Sequence, residues 1–249
     1  MCRWAVPISL FLFVCLSVSA QTIDVKGAKE AETPVYRPIL IGAGPNALIN
    51  RIDTGALIQK GQKDGLIMFT CMVNKLGKMV EGATYRGSPN SDALDQELKS
   101  KLTDAIFVPA IYNHVPVDAV YYGTISFVVV QGKPRLRIFS NQEYDELKKE
   151  SDFVGPQPFF GEGSKFKGVH YPAAASETVP VSGIADVKIK IDENGNLQSM
   201  TLVGEHPPLL DFGAAALDDL LDAKFIPAFR DGKPVSCEVT LPLYYPEPF

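Results

Sequence analysis

Two stretches of this chain match each other when the sequence is shifted by 118 residues. Gly77 then meets Gly195, and the Phe-x-Pro-Ala motif that begins at Phe107 meets the one that begins at Phe225. Similarity at a fixed offset over several elements is typical of an internal duplication. Shared hydrophobic patterns could explain matching strands, but hardly a four-residue motif at equal spacing. The sequence therefore predicts two copies of one structural unit.

The second copy has the clearer pattern. Residues 184–191 alternate apolar and polar side chains, which predicts a half-buried strand, and Asn194-Gly195 favours a tight hairpin turn after it. A second strand follows through 197–202. An apolar helical stripe begins after Asp211, a plausible N-cap, and the last strand runs from Val235 to Tyr245.

The first copy repeats these elements with more divergence. Phe69, Cys71 and Val73 alternate, a helical stripe runs from Leu94 to Ala105, and a long strand covers 115–130. We therefore expect an α+β protein with two small β-β-α-β units, each a three-stranded antiparallel sheet with one helix packed on it.

The expected segments follow from these copies and from the composition between them. Residues 152–168 are rich in glycine and proline, which is typical of a linker. The predicted organisation is a signal peptide at 1–20, an N-terminal extension at 21–60, the divergent copy at 61–139, a linker at 140–168 and the second copy at 169–249.

The first twenty residues have the pattern of a secretion signal. Arg3 precedes an apolar run from Val6 to Val18, and Val18-Ser19-Ala20 places small residues before a cleavage point at Gln21. The run is shorter than the ~20 residues of a membrane anchor. We expect an exported, periplasmic mature protein without a membrane span; a retained anchor is the alternative, which amino-terminal sequencing would decide.

Charge and motifs exclude several functions. A net charge of −5 argues against a nucleic-acid binder and against a polybasic membrane-surface protein. The three histidines, His114, His170 and His206, fall in different loops, and no catalytic motif accompanies them. We expect no enzyme activity, no catalytic residue, no cofactor and no metal site. An enzyme site assembled between the copies is a hypothesis without positive support.

Acidic residues and cysteines also have simple interpretations. Residues 192–196 are interpreted as a hairpin turn instead of a calcium loop, and three aspartates of the second helix, at 218, 219 and 222, as its solvated face. Cys71 and Cys237 fall in phase with core residues of their strands. Two buried free thiols or a disulfide between the copies are both open.

Several motifs of the last third resemble the TonB C-terminal domain family. They occur in the family's order: Tyr171-Pro172, Gly183, Asp192 with Gly195, the motif that begins at Phe225, and Asp231-Gly232-Lys233-Pro234-Val235. The resemblance implies a periplasmic domain that pairs its last strand with a short peptide of an outer-membrane transporter.

The resemblance and the absent chemistry lead to one preferred function. We expect a non-catalytic protein that binds an extended peptide, from an outer-membrane transporter or another envelope protein, by β-strand addition to its last strand. The edge positions are Ser236, Glu238, Thr240 and Tyr244. Coverage of this edge by the other copy is the structural alternative, and an anchored energy-transducer component for outer-membrane transport is the functional one.

Overall fold

The computed structural model describes residues 32–178 and 181–248. The predicted signal peptide and its cleavage point lie outside these residues. The elements up to residue 139 are β1 (Tyr36–Arg37), α1 (Leu48–Arg51), α2 (Thr54–Gln59), β2 (Gly65–Val73), β3 (Met79–Gly87), α3 (Asp92–Leu102), β4 (Ala110–Tyr112), β5 (Val115–Val130) and β6 (Lys133–Phe139).

The rest of the chain adds three helices and seven strands to the described part. They are α4 (Tyr144–Lys149), β7 (Gln157–Phe160), α5 (Ala173–Thr178), β8 (Gly183–Ile191), β9 (Leu197–His206), α6 (Phe212–Leu220), β10 (Phe225–Ile226), β11 (Ala228–Arg230), β12 (Lys233–Val235) and β13 (Cys237–Tyr245). The predicted mixed α+β class is confirmed.

The second half contains a separate three-stranded antiparallel sheet in the order β13-β8-β9. The alternation predicted for β8 is observed, because Ala185, Val187, Ile189 and Ile191 are all fully buried. Phe212, Ala216 and Leu220 of α6 are buried in the same cluster. One helix therefore covers one face of this sheet.

The cap of α6 differs from the sequence prediction. Asp211 lies at the N-cap position, but its φ is +61° and its side chain makes no capping hydrogen bond. Glu205 of β9 accepts from the backbone N–H of Gly213 instead, at 2.5 Å. The helix start is thus stabilised by a carboxylate from the neighbouring strand, which local sequence does not indicate.

The first half departs from the predicted three-stranded sheet. Its strands β3, β2 and β5 are neighbours in that order, but they belong to an eight-stranded sheet that also contains β1, β4, β6, β7 and β10. β6 pairs with β5 from Thr124 to Val130, so the chain itself adds a strand beyond β5. β10 joins through β7 and comes from the second half.

Several features of the two halves recur at the offset of 118 residues. β2 spans Gly65–Val73 and β8 spans Gly183–Ile191. The pairing of β2 with β3 and that of β8 with β9 each contain two register shifts, at corresponding positions of β2 and β8. The bridge between Lys78 and Ile106 has its counterpart between Asn196 and Lys224. Local irregularities, and not only regular strands, therefore share the spacing found in the sequence.

Residues 140–168, predicted as a linker, are part of the packed structure. They contain α4 and β7, and β7 pairs with β5 on one side and β10 on the other. Val154 and Phe229 exchange two backbone hydrogen bonds. This segment differs from a flexible connection because its backbone groups pair with both halves, and the described residues from Thr33 onward form one compact unit.

The end of the predicted N-terminal extension also packs on the first half. Ile39, Leu48 and Leu57 are fully buried in the same hydrophobic cluster as Phe69 and Tyr121. The helices α1 and α2 therefore complete a core. Within residues 32–178 and 181–248, no helix combines the length and apolar character needed to cross a membrane.

Candidate binding edge of strand β13

β13 is an edge strand with regular geometry. It pairs with β8 at nine consecutive positions, from Cys237 opposite Ile191 to Tyr245 opposite Gly183, without a register shift. The edge strands β3 and β9 each contain two register shifts, which twist an edge and disfavour pairing with another strand. The outer side of β5 is already occupied by β6 and β7. These features distinguish β13 from β3 and β9 as an edge suited to an added strand.

A single contact shows which backbone N–H groups of β13 point away from β8. The N–H of Thr240 points away from β8, because it donates to the carboxylate of Glu143 at 2.7 Å. Outward and inward groups alternate along an antiparallel strand, so Glu238 and Tyr244 present their N–H groups on the same side. Pro242 shares this phase but has no N–H. The edge therefore offers its donors at three positions.

The four predicted edge residues occupy alternate positions with the same backbone phase, and each makes one contact with another element. Ser236 precedes β13 and donates to Glu193 at 2.6 Å, and Glu238 forms an ion pair with Lys188 at 2.6 Å. Tyr244 stacks on Tyr85, with ring centroids 5.7 Å apart. In the described part of the chain, no side chain bonds the outward N–H groups of Glu238 and Tyr244. The outward N–H of Thr240 donates to Glu143.

Glu143 was not identified from the sequence. It lies at the N-cap position of α4, yet its side chain makes no capping bond there and reaches β13 instead. Burial raises the pKa of Glu143, and the negative charges of Glu146 and Asp145 act in the same direction, while the bond from Thr240 and the charge of Lys188 oppose them. No local pattern could have revealed this residue, because its partner lies 97 positions away.

The two residues before Glu143 fix it to the first half. Asn141 is 2% exposed; its carbonyl accepts from the hydroxyl of Thr124 at 2.8 Å, and its side-chain oxygen accepts from the N–H of Glu143. The amide of Gln142 donates to the carbonyls of Phe69 and Gly123. The carboxylate that meets β13 is therefore presented by a well-bonded segment.

An apolar groove lies beside the C-terminal end of β13. Its volume is about 520 Å³. Residues of β2, β3 and β5 line it, together with aromatic side chains at and after the end of β7 and the end of β13. The lining includes Met72, Val120, Tyr122, Phe160, Phe166 and Tyr244. Since Tyr244 belongs to both the edge and the groove, a segment paired with β13 would continue towards an apolar surface.

A histidine and an aspartate meet at a second cavity, of about 430 Å³. His170 Nδ1 lies 2.5 Å from Asp219 Oδ1, and Tyr245 donates to the other carboxylate oxygen at 3.3 Å. The Asp219 side chain is only 4% exposed, so the interpretation of this residue as part of a solvated helix face is wrong. The described residues that line the cavity include no serine, threonine or cysteine that this pair could activate.

The remaining reactive side chains are also structural in character. Cys71 and Cys237 are free thiols, and burial raises the pKa of both, that of Cys237 to about 12. Such thiols remain protonated near neutral pH and are poor nucleophiles. In the described part of the chain, no three His, Cys, Asp or Glu side chains converge as a metal site would require.

The last third folds as a small sheet-and-helix module with β13 at one edge of its sheet. Residues 167–246 match the family model described as Gram-negative bacterial TonB protein C-terminal. The match covers about a third of the chain and confirms the resemblance of this region. A comparison with curated proteins gave no significant match. The family is a non-enzymatic energy-transducer domain that interacts with outer-membrane transporters, which agrees with an envelope or transport role.

Proposed function

We propose that this protein is an exported, non-catalytic binding protein of the cell envelope. It takes up an extended segment of a partner as an additional strand on β13. The observation that carries this proposal is the regular outer edge of β13, which pairs with β8 without a register shift, whereas the edges of β3 and β9 are bulged. Main-chain pairing would supply affinity and the flanking side chains selectivity.

A strand added within the first half supports this mode of binding. β5 lies next to β2 as β13 lies next to β8, and β6 pairs antiparallel along the outer side of β5. The third strand of such a module can thus accept a further strand. We infer that the halves descend from one duplicated module, supported by their common offset of 118 residues in both sequence and register shifts.

The partner class follows from the family match. We propose an outer-membrane transporter or another envelope protein, with periplasmic encounter, because the matching family interacts with outer-membrane transporters. The groove beside Tyr244 would receive apolar side chains of the bound segment where it leaves the edge. Binding in this form needs no catalytic group and no cofactor.

Proline at position 240 tests strand addition. Thr240→Pro removes an outward N–H, and the neighbouring outward position is already occupied by Pro242, so β13 tolerates proline on this side. We expect Thr240→Pro to lower the recovery of the partner from envelope extracts at least tenfold, as measured by quantitative pull-down.

The matched control is Thr240→Ala, which keeps the N–H and removes the side chain. It should bind within about twofold of the wild type if backbone pairing supplies the affinity. Circular dichroism of both variants verifies that the fold is retained. Equal binding by the proline variant and the wild type would show that β13 does not bind by strand addition.

A further inference from the structure

The outward N–H of Thr240 is already satisfied within the chain. Glu143 Oε1 accepts it at 2.7 Å, at the place where a backbone carbonyl of an added strand would accept it. A carboxylate oxygen therefore substitutes for the acceptor of an incoming strand. The contact is charge-assisted and lies at the centre of the β13 edge.

The space beside this edge is filled. Residues 141–143 and 153–156 lie opposite residues 239–242 of β13, and the gap between them has a volume of about 20 Å³. A cavity of this size can hold about one water molecule, whereas an added strand requires about 4.8 Å between backbones. No peptide can pair with Thr240 while these two segments hold their present positions.

The covering segments are bonded to both halves. Thr124 donates to the carbonyl of Asn141 and Gln142 donates to that of Phe69, which anchors the covering segments to the first half. Val154 exchanges two backbone hydrogen bonds with Phe229 of the second half. Glu146 adds a bidentate contact to Arg230. Glu143 differs from all of these, because it occupies a group that the binding edge itself needs.

We propose that residues 141–143 and 153–156 form an autoinhibitory cover over β13, with Glu143 as the contact that closes the edge. This inference rests on the proposed function, and it adds that the resting protein has low affinity for its partner. Binding requires the cover to move and the bond between Glu143 and Thr240 to break. Loss of this bond with the N–H of Thr240 retained, as in Glu143→Ala, should raise the affinity for an extended peptide.

Amide hydrogen exchange tests the closure without any ligand. In Glu143→Ala, exchange at Thr240 should rise about tenfold, since one hydrogen bond of about 1.4 kcal/mol is lost. Exchange at Val239 and Leu241, which face β8, should not change. Glu143→Gln keeps an oxygen acceptor and should restore protection at Thr240.

Glu146→Ala is the matched control. It removes a carboxylate three residues away and breaks the contact with Arg230, but it does not touch the edge of β13. Protection at Thr240 should stay within twofold of the wild type. Unchanged exchange in Glu143→Ala, or an equal rise in Glu146→Ala, would contradict the proposed closure.

A peptide with the sequence of β6, residues 133–139, serves as the strand probe, because this segment already pairs as an added strand on β5. By fluorescence anisotropy, Glu143→Ala should bind it at least fivefold more tightly than the wild type or Glu146→Ala. Equal binding by all three proteins would reject autoinhibition and leave strand addition standing. If none binds the peptide, the exchange data alone decide the closure, and the pull-down with Thr240→Pro decides strand addition.

Discussion

At the scale of single residues, two glycines show how strictly the turns are determined. Gly77 and Gly195 have φ angles of +77° and +78°, and each lies within a turn in which a side-chain oxygen, of Asn74 or Asp192, accepts backbone N–H groups. A Cβ at Gly195 would lie 1.9 Å from the carbonyl oxygen of Phe225, and one at Gly77 would lie 2.2 Å from that of Phe107. Close backbone approach and left-handed conformation both exclude other residues.

We therefore predict that Gly77→Ala and Gly195→Ala each lower the free energy of unfolding by about 3 kcal/mol or more, because the backbone must shift. Gly232→Ala is the control: its φ is +70°, but no atom lies within 4 Å of the added Cβ. The control should cost only about 1 kcal/mol. Urea unfolding measures all three, and similar values for all three would show that the carbonyl contact is unimportant.

At the scale of elements, β7 joins parts of the chain that the sequence separates. Gln157 of β7 is 1% exposed, and its side chain accepts from the N–H of Ile39 at 2.7 Å and donates to the carbonyl of the same residue at 3.4 Å. Its backbone pairs with Ile226 of β10. One short strand thus connects the N-terminal extension, the first sheet and the second half.

Loss of the Gln157 side chain should be costly. Gln157→Ala leaves buried backbone groups of Ile39 unsatisfied, and we expect a loss of about 2–3 kcal/mol in the free energy of unfolding. Gln198→Ala removes an exposed glutamine that bonds Asp192 and should change it by less than about 0.5 kcal/mol. Chemical denaturation compares the two, and an equal effect would argue against β7 as a structural connection.

At the scale of the whole molecule, each of the two hydrophobic cores contains side chains from outside its own half of the chain. The cluster around α6 includes Tyr122 and Phe153 from outside the family match, and the cluster around α3 includes Ile226 and Phe229 from within it. Neither core is complete without the other half. The described residues from Thr33 onward accordingly form one compact unit.

A fragment of residues 167–246 should therefore be much less stable than the full chain. It lacks Tyr122, Phe153 and Phe166 from its core, and loss of large buried side chains costs about 3–5 kcal/mol each. We expect increased binding of a hydrophobic dye and an earlier urea transition. A fragment of residues 150–248 restores two of the three side chains and should recover part of the stability. Equal stability of the shorter fragment and the full chain would contradict this prediction.

Local order could be read from the sequence because it depends on neighbours along the chain. The alternation in β8, the hairpin turn at Gly195 and the apolar stripe of α6 are each set by side chains a few positions apart, and each is observed. The predicted capping of α6 by Asp211 was wrong, because the carboxylate of Glu205, from β9, accepts the backbone N–H of Gly213 at the helix start. The linker interpretation failed for the same reason, since glycine and proline content does not reveal backbone pairing with distant strands.

The sequence by itself determined the class of module in the last third, the repeated spacing and the position of the terminal strand. Tertiary structure alone decided what stands at the edge of that strand, because Tyr85 reaches it from the first half, and Glu143 and the segment around Phe153 reach it from the residues between the halves. Side-chain periodicity is a property of a few consecutive residues, whereas access to an edge depends on which remote groups pack against it.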